Sequence, residues 1–413
     1  MKIKAKKLAK SNRRHATERT EAAISVAPLF AFVLLSIFVL KAAAAQEELN
    51  IEKRLQTPGE QPPTWVSISG ISGEALQVMQ FDLYVQGFNF TNADAAQYLI
   101  SGSADGNLQA RVTDKYSKNT SVSKAYSGAS LRRQVHAFVD EFTTALNRGS
   151  ICRTKIAFKG ESGQGSEIYI ADFDGHGAQA VTSDHTIVAA PDWVPHQMAL
   201  YYVSYKLNHA DIFYHDLSSG SRKAFARYGG SNISPAVSPD GRNVAMILSK
   251  DGWTDLYVGS ADGGKPNRLT RTPQDESSPC WSPKGDWICY AAKDGERRSL
   301  KKISPSGGQS QRINTGGFPS PSEPDWSPDG NWIAFTSQTR SFQICVVKAN
   351  GGEPTALVEG EDPSWAPNSR TLIYGRRQGG HYVLALLDVP TKQTRDIGRI
   401  PEINSQSQPS WAR

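Results

Sequence analysis

The sequence predicts an all-β six-bladed β-propeller in its C-terminal two-thirds, preceded by a small N-terminal α+β domain. Three observations predict it. First, a strand-turn-strand motif recurs: Pro324-Asp325-Trp326-Ser327-Pro328-Asp329-Gly330 is its fullest copy, and others begin at Pro191, Pro235, Pro279, Pro363 and Pro409. The intervals of 44, 44, 45, 39 and 46 residues match a propeller blade rather than a helical repeat. Second, the last copy (Pro409-Ser410-Trp411) has no strand after it, whereas Ile156-Ala157-Phe158 reads as a second strand with no motif before it. Joined, the two ends make one blade of the same period and close six blades into a ring without free sheet edges. Third, an amphipathic helix stands immediately before the repeats and belongs to a different layer.

At 413 residues the chain has room for two domains. Its net charge of +6 is uneven, because residues 1–41 alone carry +7 and the remainder is close to neutral. Basicity confined to a leader gives no electrostatic case for nucleic-acid binding. That leader, residues 1–45, places Lys2, Lys4, Lys6, Lys7, Lys10, Arg13, Arg14 and Arg19 before an apolar run from Ala27 to Leu40, then Ala42-Ala43-Ala44-Ala45. The pattern is that of a cleaved export signal, and the apolar run is short for a membrane span; an uncleaved anchor is the other reading. The mature chain is then periplasmic, with no stable membrane insertion. Residues 46–64 hold Pro58, Gly59, Pro62 and Pro63 and read as a flexible arm.

Residues 65–150 predict the α+β domain. Ala75, Leu76, Met79 and Leu83 suggest a helix closed by Gly87, and Thr91 or Asn92 can cap another. Tyr98-Leu99-Ile100 reads as a strand leading into a turn over Gly102–Gly106. Leu108, Ala110 and Val112 alternate with polar residues as a half-buried strand does, and the run through Val122, Lys124 and Tyr126 can pair with it. Leu131, Val135, Phe138, Phe142, Ala145 and Leu146 share one helical face; Ser127 or Ser130 can cap its start, and Gly149 suits a left-handed residue past its end.

Residues 151–413 predict the propeller. After each motif comes a strand with paired apolar positions, such as Val244/Met246 and Ile333/Phe335, and then a third strand such as Leu256-Tyr257-Val258. Glycine pairs (Gly263-Gly264, Gly307-Gly308, Gly351-Gly352) fit the next hairpin, since they accept positive φ. Of the four cysteines, Cys280 and Cys289 flank a turn and can face each other; buried thiols are the plainer reading for all four.

The connections entering each inner strand gather at one mouth. They hold Asp184 and His185; Tyr228, Ser231, Asn232 and Ser234; Asp275, Glu276, Ser277 and Ser278; Phe318 and Glu323; and Glu361 with Asp362. This rim is small, polar and mildly acidic, with no nucleophile beside a base and no convergent His or Cys set. It suits protein docking, with no catalytic, cofactor or metal residue assigned. Asp172-Phe173-Asp174-Gly175 begins like a calcium loop but lacks the later acid and falls at a hairpin, and a metal shared by His185, His209 and His381 is disfavoured because they lie on different blades or loops.

The export signal, the helix running into Arg153-Thr154-Lys155-Ile156-Ala157-Phe158 and the six motifs ending at Pro409-Ser410-Trp411 together resemble the TolB family. The resemblance implies a non-enzymatic, monomeric adaptor of the Tol-Pal system. Such an adaptor binds the lipoprotein Pal at the propeller mouth and the inner-membrane protein TolA through the N-terminal arm. It serves outer-membrane integrity and cell division and is exploited by imported bacteriocins. Carried onto this chain, the Pal contacts fall at Ser231, Asn232, Ser234 and Ser277. The departures are a longer, Pro-rich arm and a mouth segment at 231–234 without bulky or charged side chains. The alternatives are an exported propeller enzyme of peptidase or lyase type, and a glycan-binding module.

Overall fold

The structure, a computed structural model, describes residues 57–413 apart from Gln164. The expected export signal and residues 46–56 of the expected arm lie outside the described residues. Residues 57–63 pack rather than float: the Gln61 N–H donates to the Pro390 carbonyl at 3.0 Å, and Gly59 lies against the Lys392 side chain.

The α+β domain is a five-stranded sheet covered by two helices. Its strands are β1 (Thr64–Ser69), β2 (Phe88–Phe90), β3 (Tyr98–Asp105), β4 (Asn107–Asp114) and β5 (Thr120–Ala125), in the order β2-β1-β3-β4-β5. The first three are parallel and the last three antiparallel. Helix α1 (Gly73–Tyr84) buries Ala75, Val78, Met79, Asp82 and Leu83. Helix α2 (Leu131–Ala145) starts with the Ser130 hydroxyl accepting the Arg133 N–H. It buries Gln134, His136, Asp140 and Thr143 beside the expected Val135, Phe138 and Phe142, because it faces the sheet on one side and the ring on the other. Three local expectations are corrected. Asn92 caps a turn, its side chain accepting the Ala95 N–H, and no helix follows. Gly102 lies inside β3, opposite Ala110, with the hairpin at Gly106. Gly149 is left-handed as expected (φ 73°), with Asn147 (φ 56°) left-handed ahead of it, but Ala145, placed on the buried face of α2, is exposed.

Six four-stranded sheets follow. Their innermost strands are Val188–Trp193, Asn232–Val237, Glu276–Trp281, Pro321–Trp326, Glu361–Trp365 and Ser405–Trp411. The last pairs antiparallel with Lys155–Ser162, placing Trp411 opposite Ile156 and Ser410 opposite Ala157, so the two ends of the region complete one sheet. Apolar faces of neighbouring blades fill the wedges between them: Trp281 packs with Ile247 and Leu256, and Trp365 with Ile344 and Val346. Asp172–His176 is a hairpin turn in which the Gly175 N–H donates to the Asp172 carbonyl. The segment from Ser304 to Pro324, read as loose in the sequence, includes the outer strand Gln311–Ile313. All four cysteines are buried free thiols, and Cys280 and Cys289 sit directly opposite each other in register. Among the described residues, no helix is long and apolar enough to cross a membrane.

The α+β domain meets the ring at hairpins on the end opposite the mouth. The Thr371 hydroxyl donates to the Val85 carbonyl, and the Gln393 amide donates to the Phe88 carbonyl at 2.9 Å. Arg132 pairs with Asp174. One apolar cluster runs from Val66 and Phe142 through Phe173 to Ile373 and Trp411, so the two parts share a core.

Candidate docking site on the propeller axis

Every inner strand breaks its register at the same place, immediately before the motif proline. The residues there are Ala190, Ser234, Ser278, Glu323, Asp362 and Gln408, and all six have φ between 45° and 55°. Each stands in a bulge where pairing with the next strand shifts. Proline excludes the right-handed helical region for the residue before it, and a bulge turns that residue's side chain out of the pleat. Holding six non-glycine residues in the left-handed region costs on the order of 1 kcal/mol or more each, and strain of this kind clusters at functional sites. Repeated around the ring, it brings six short side chains to the axis. They line a cavity of about 560 Å³ together with Asp192, Asp325 and Arg413.

Side chains on this ring tie one blade to the next. The Glu323 carboxylate accepts the Asp362 N–H at 3.1 Å and the Thr336 hydroxyl at 2.6 Å. The Asp362 carboxylate takes the Gln408 N–H, and the Gln408 side-chain oxygen accepts the Ala190 N–H at 2.9 Å. A second tier uses the residue after the proline. Asp192 accepts the Val237 N–H at 2.7 Å, Asp325 the Trp365 N–H at 2.6 Å, and the Ser364 hydroxyl the Trp411 N–H at 3.1 Å. Arg413 reaches back to Asp325 and donates to the Trp365 and Trp326 carbonyls.

The cavity wall is acidic. Burial pushes the Asp192 carboxyl up to about 7, against the Val237 N–H and Arg413, which lower it. Burial also raises Asp325, even with Arg413 beside it. Burial, then the charges of Glu323 and Glu361, lifts Asp362 well above the ordinary carboxylate range. Glu361 is raised by burial and again by Glu323. Buried carboxyls raised in this way are pushed back toward ionisation when a cation or a hydrogen-bond donor is placed beside them.

The fourteen rim residues named from the sequence divide into three sets. Ser234, Ser278, Glu323 and Asp362 converge on the cavity, with Glu361 beside them. His185, Tyr228, Ser231, Asp275 and Phe318 stand outside it on the entering loops, with His185 and Asp275 exposed, and Ser277 stands outside it near the start of the strand Glu276–Trp281. There the Arg298 guanidinium donates to the Ser277 hydroxyl, and the Tyr228 N–H donates to the Asn232 side chain. Asp184, Asn232 and Glu276 keep their side chains inside the blades, which corrects their reading as contact side chains. Asp184 takes the Ser204 hydroxyl and Arg222, and these outweigh burial to hold its carboxyl below the usual range. The Asn232 amide donates to the Ala210 and Tyr228 carbonyls, and Glu276 accepts the Thr270 and Thr272 hydroxyls. Sequence reasoning missed Ala190, Gln408, Asp192, Asp325 and Arg413. The signal was present, because each of the first four adjoins a motif proline.

Comparison with known proteins agrees with this architecture. A family model described as the TolB beta propeller domain matches residues 143–413. The Tol-Pal system protein TolB of Bordetella pertussis is 30% identical over 337 residues, covering 77% of this chain and 75% of that protein; its Bordetella bronchiseptica counterpart gives the same figures. The crystal structure of TolB from Acinetobacter baumannii matches the fold with a TM-score of 0.77, at 20% identity, over 86% of this chain and 98% of that one. A putative TolB from Agrobacterium tumefaciens matches with a TM-score of 0.50, at 19% identity, over 59% of this chain and 89% of that one. A family model that spans the ring, with relatives aligned over three-quarters of the sequence, shows that this chain belongs to the TolB family.

Proposed function

We propose that this protein is a non-enzymatic adaptor of the Tol-Pal system in the periplasm, docking a Pal-like peptidoglycan-associated lipoprotein at the propeller mouth. One observation carries the reading: six pre-proline bulges turn Ser234, Ser278, Glu323 and Asp362 toward a single acidic, axis-centred cavity. Relatives named Tol-Pal system protein TolB supply the partner class. The thiol that lines the cavity, Cys280, is pushed well above its ordinary range by burial and by Cys289, which suits packing rather than nucleophilic attack. A TolA-like inner-membrane protein is assigned to the arm before Thr57, because residues 57–63 are already engaged with the ring. Outer-membrane integrity, cell division and bacteriocin import follow from membership of that system.

The test compares the mature chain with one lacking residues 46–56, each exposed to the purified soluble domain of a Pal-like lipoprotein and, separately, of a TolA-like protein. Pal capture by both forms and TolA capture by the longer form alone are expected. Loss of Pal capture on deletion places that site in the arm and overturns the assignment.

A further inference from the structure

A second cluster lies away from the axis, in the joint between the α+β domain and the ring. Asp82 comes from α1, His136 from α2, and Cys152 from the segment that leads α2 into the first ring strand. The three residues are 0%, 3% and 1% exposed. One carboxylate oxygen, one imidazole nitrogen and the sulfur lie within 4.8 Å of one another. Asp82 Oδ2 and His136 Nδ1 are 2.7 Å apart, and Gln86 Nε2 donates to Cys152 Sγ at 3.4 Å. Asp140 Oδ1 accepts the Ile151 and Cys152 N–H groups at 3.0 and 2.9 Å and so fixes the backbone that carries the thiol.

Three polar atoms meet here without being satisfied. Asp82 Oδ1, Gln86 Oε1 and His136 Nε2 are buried and have no hydrogen-bond partner, while the thiol contacts the Gln86 amide and the Asp140 carboxylate. Buried polar atoms are otherwise almost always paired, because one left unpaired keeps the full cost of its lost hydration. An imidazolium held between Asp82 and Asp174, whose Oδ2 is 3.6 Å from His136 Nε2, explains the histidine. It leaves Asp82 Oδ1 and Gln86 Oε1 without a partner.

We propose that Asp82, His136 and Cys152 bind a zinc ion that locks the α+β domain to the propeller. Thiolate, imidazole and carboxylate in one place are the mixed donor set zinc takes, in preference to magnesium or calcium. A carboxylate and a thiolate neutralise the ion, so the filled site adds no net charge to the joint. Gln86 plays two parts. Its amide N–H orients the sulfur, as outer-shell groups do, and its unpaired carbonyl oxygen is the available fourth donor. The three ligands come from three different elements, so binding holds both helices and the ring entry together.

The full chain, purified without chelators and then stripped, is titrated with Co²⁺ as a spectroscopic stand-in for Zn²⁺. One equivalent is expected to give a thiolate-to-cobalt charge-transfer band with strong visible d–d bands, and Zn²⁺ is expected to displace it. Cys152→Ser removes the charge-transfer band, and Gln86→Leu weakens Zn²⁺ binding about 10- to 100-fold. Because either variant can fold poorly, the wild-type chain is also melted with and without one equivalent of Zn²⁺. A higher Tm that chelator reverses supports the site. No stoichiometric Co²⁺ or Zn²⁺ binding by the wild type, or a cobalt spectrum unchanged in folded Cys152→Ser, overturns it.

Discussion

The Glu323 carboxylate accepts the Asp362 backbone N–H at 3.1 Å across a blade boundary. It therefore belongs to the wall of the axial cavity and to the seam that closes the ring. Glu323→Ala removes the acceptor of the buried Thr336 hydroxyl and one of the two acceptors of the Asp362 N–H, which also reaches the Thr336 oxygen at 3.1 Å, and it relieves the repulsion that raises Asp362. The lost hydrogen bonds prevail, because an unpaired buried donor costs more than a protonatable neighbour saves. We expect a loss of about 1–3 kcal/mol in denaturant unfolding, with Glu323→Gln retaining most of the stability.

Glu276 is buried against Thr270 and Thr272, and burial raises its carboxyl from an ordinary 4.5 to about 7. The folded state thus holds a proton that the unfolded state releases at lower pH. This contribution to stability is complete below pH 4.5 and is lost as pH climbs through about 7. Glu276→Gln does not titrate. Its stability relative to wild type should therefore grow between those pH values and level off above them, reaching at most about 3 kcal/mol. Unfolding free energies of both proteins from pH 4 to 8 check this, and a constant difference would contradict it.

Gly87 marks a close approach of the two domains. It has φ +82°, and a Cβ there would lie 2.2 Å from Arg370 Nη2 and 2.7 Å from Asp388 Oδ2. Those two atoms belong to a paired Arg370–Asp388 fork, with Nη2 to Oδ2 at 2.9 Å, that cannot yield without losing its own hydrogen bonds. Gly87→Ala should cost at least about 2 kcal/mol and expose the segment around Ile151 to protease before the ring itself unfolds. Equal protease resistance in variant and wild type would show that the joint tolerates the methyl group.

Much of the ring was legible because burial imposes a repeat. Trp326, Trp365 and Trp411 recur at one register position, since each must fill the same wedge, and the ends at Ile156 and Trp411 fit by counting alone. Side-chain direction was less legible. Asn232 and Glu276 look like rim residues in a polar loop, yet each turns inward to satisfy hydrogen bonds that only the folded blade presents. Ser234 and Asp362 turn toward the axis through a left-handed backbone twist; the motif proline after each marks the position but not the direction of the side chain. The joint was invisible for a further reason. Asp82, His136 and Cys152 are separated by 54 and 16 residues and have no motif spacing, so only helix packing brings them together. In α2 the amphipathic face was correctly placed at Phe138 and Phe142, but the second buried face with His136 and Asp140 depends on the ring.

Docking at the mouth is tested most directly by calorimetric titration of the mature chain with the soluble domain of a Pal-like lipoprotein, repeated with Ser231→Arg and Ser277→Glu. Both positions are half-exposed, Ser231 on an entering loop and Ser277 near the start of its strand, so the substitutions leave the blade cores intact. A one-to-one complex whose affinity falls at least tenfold in each variant, a cost of about 1.4 kcal/mol, is predicted. Unchanged affinity in both variants, or no binding by the wild type, would contradict a docking site on this face.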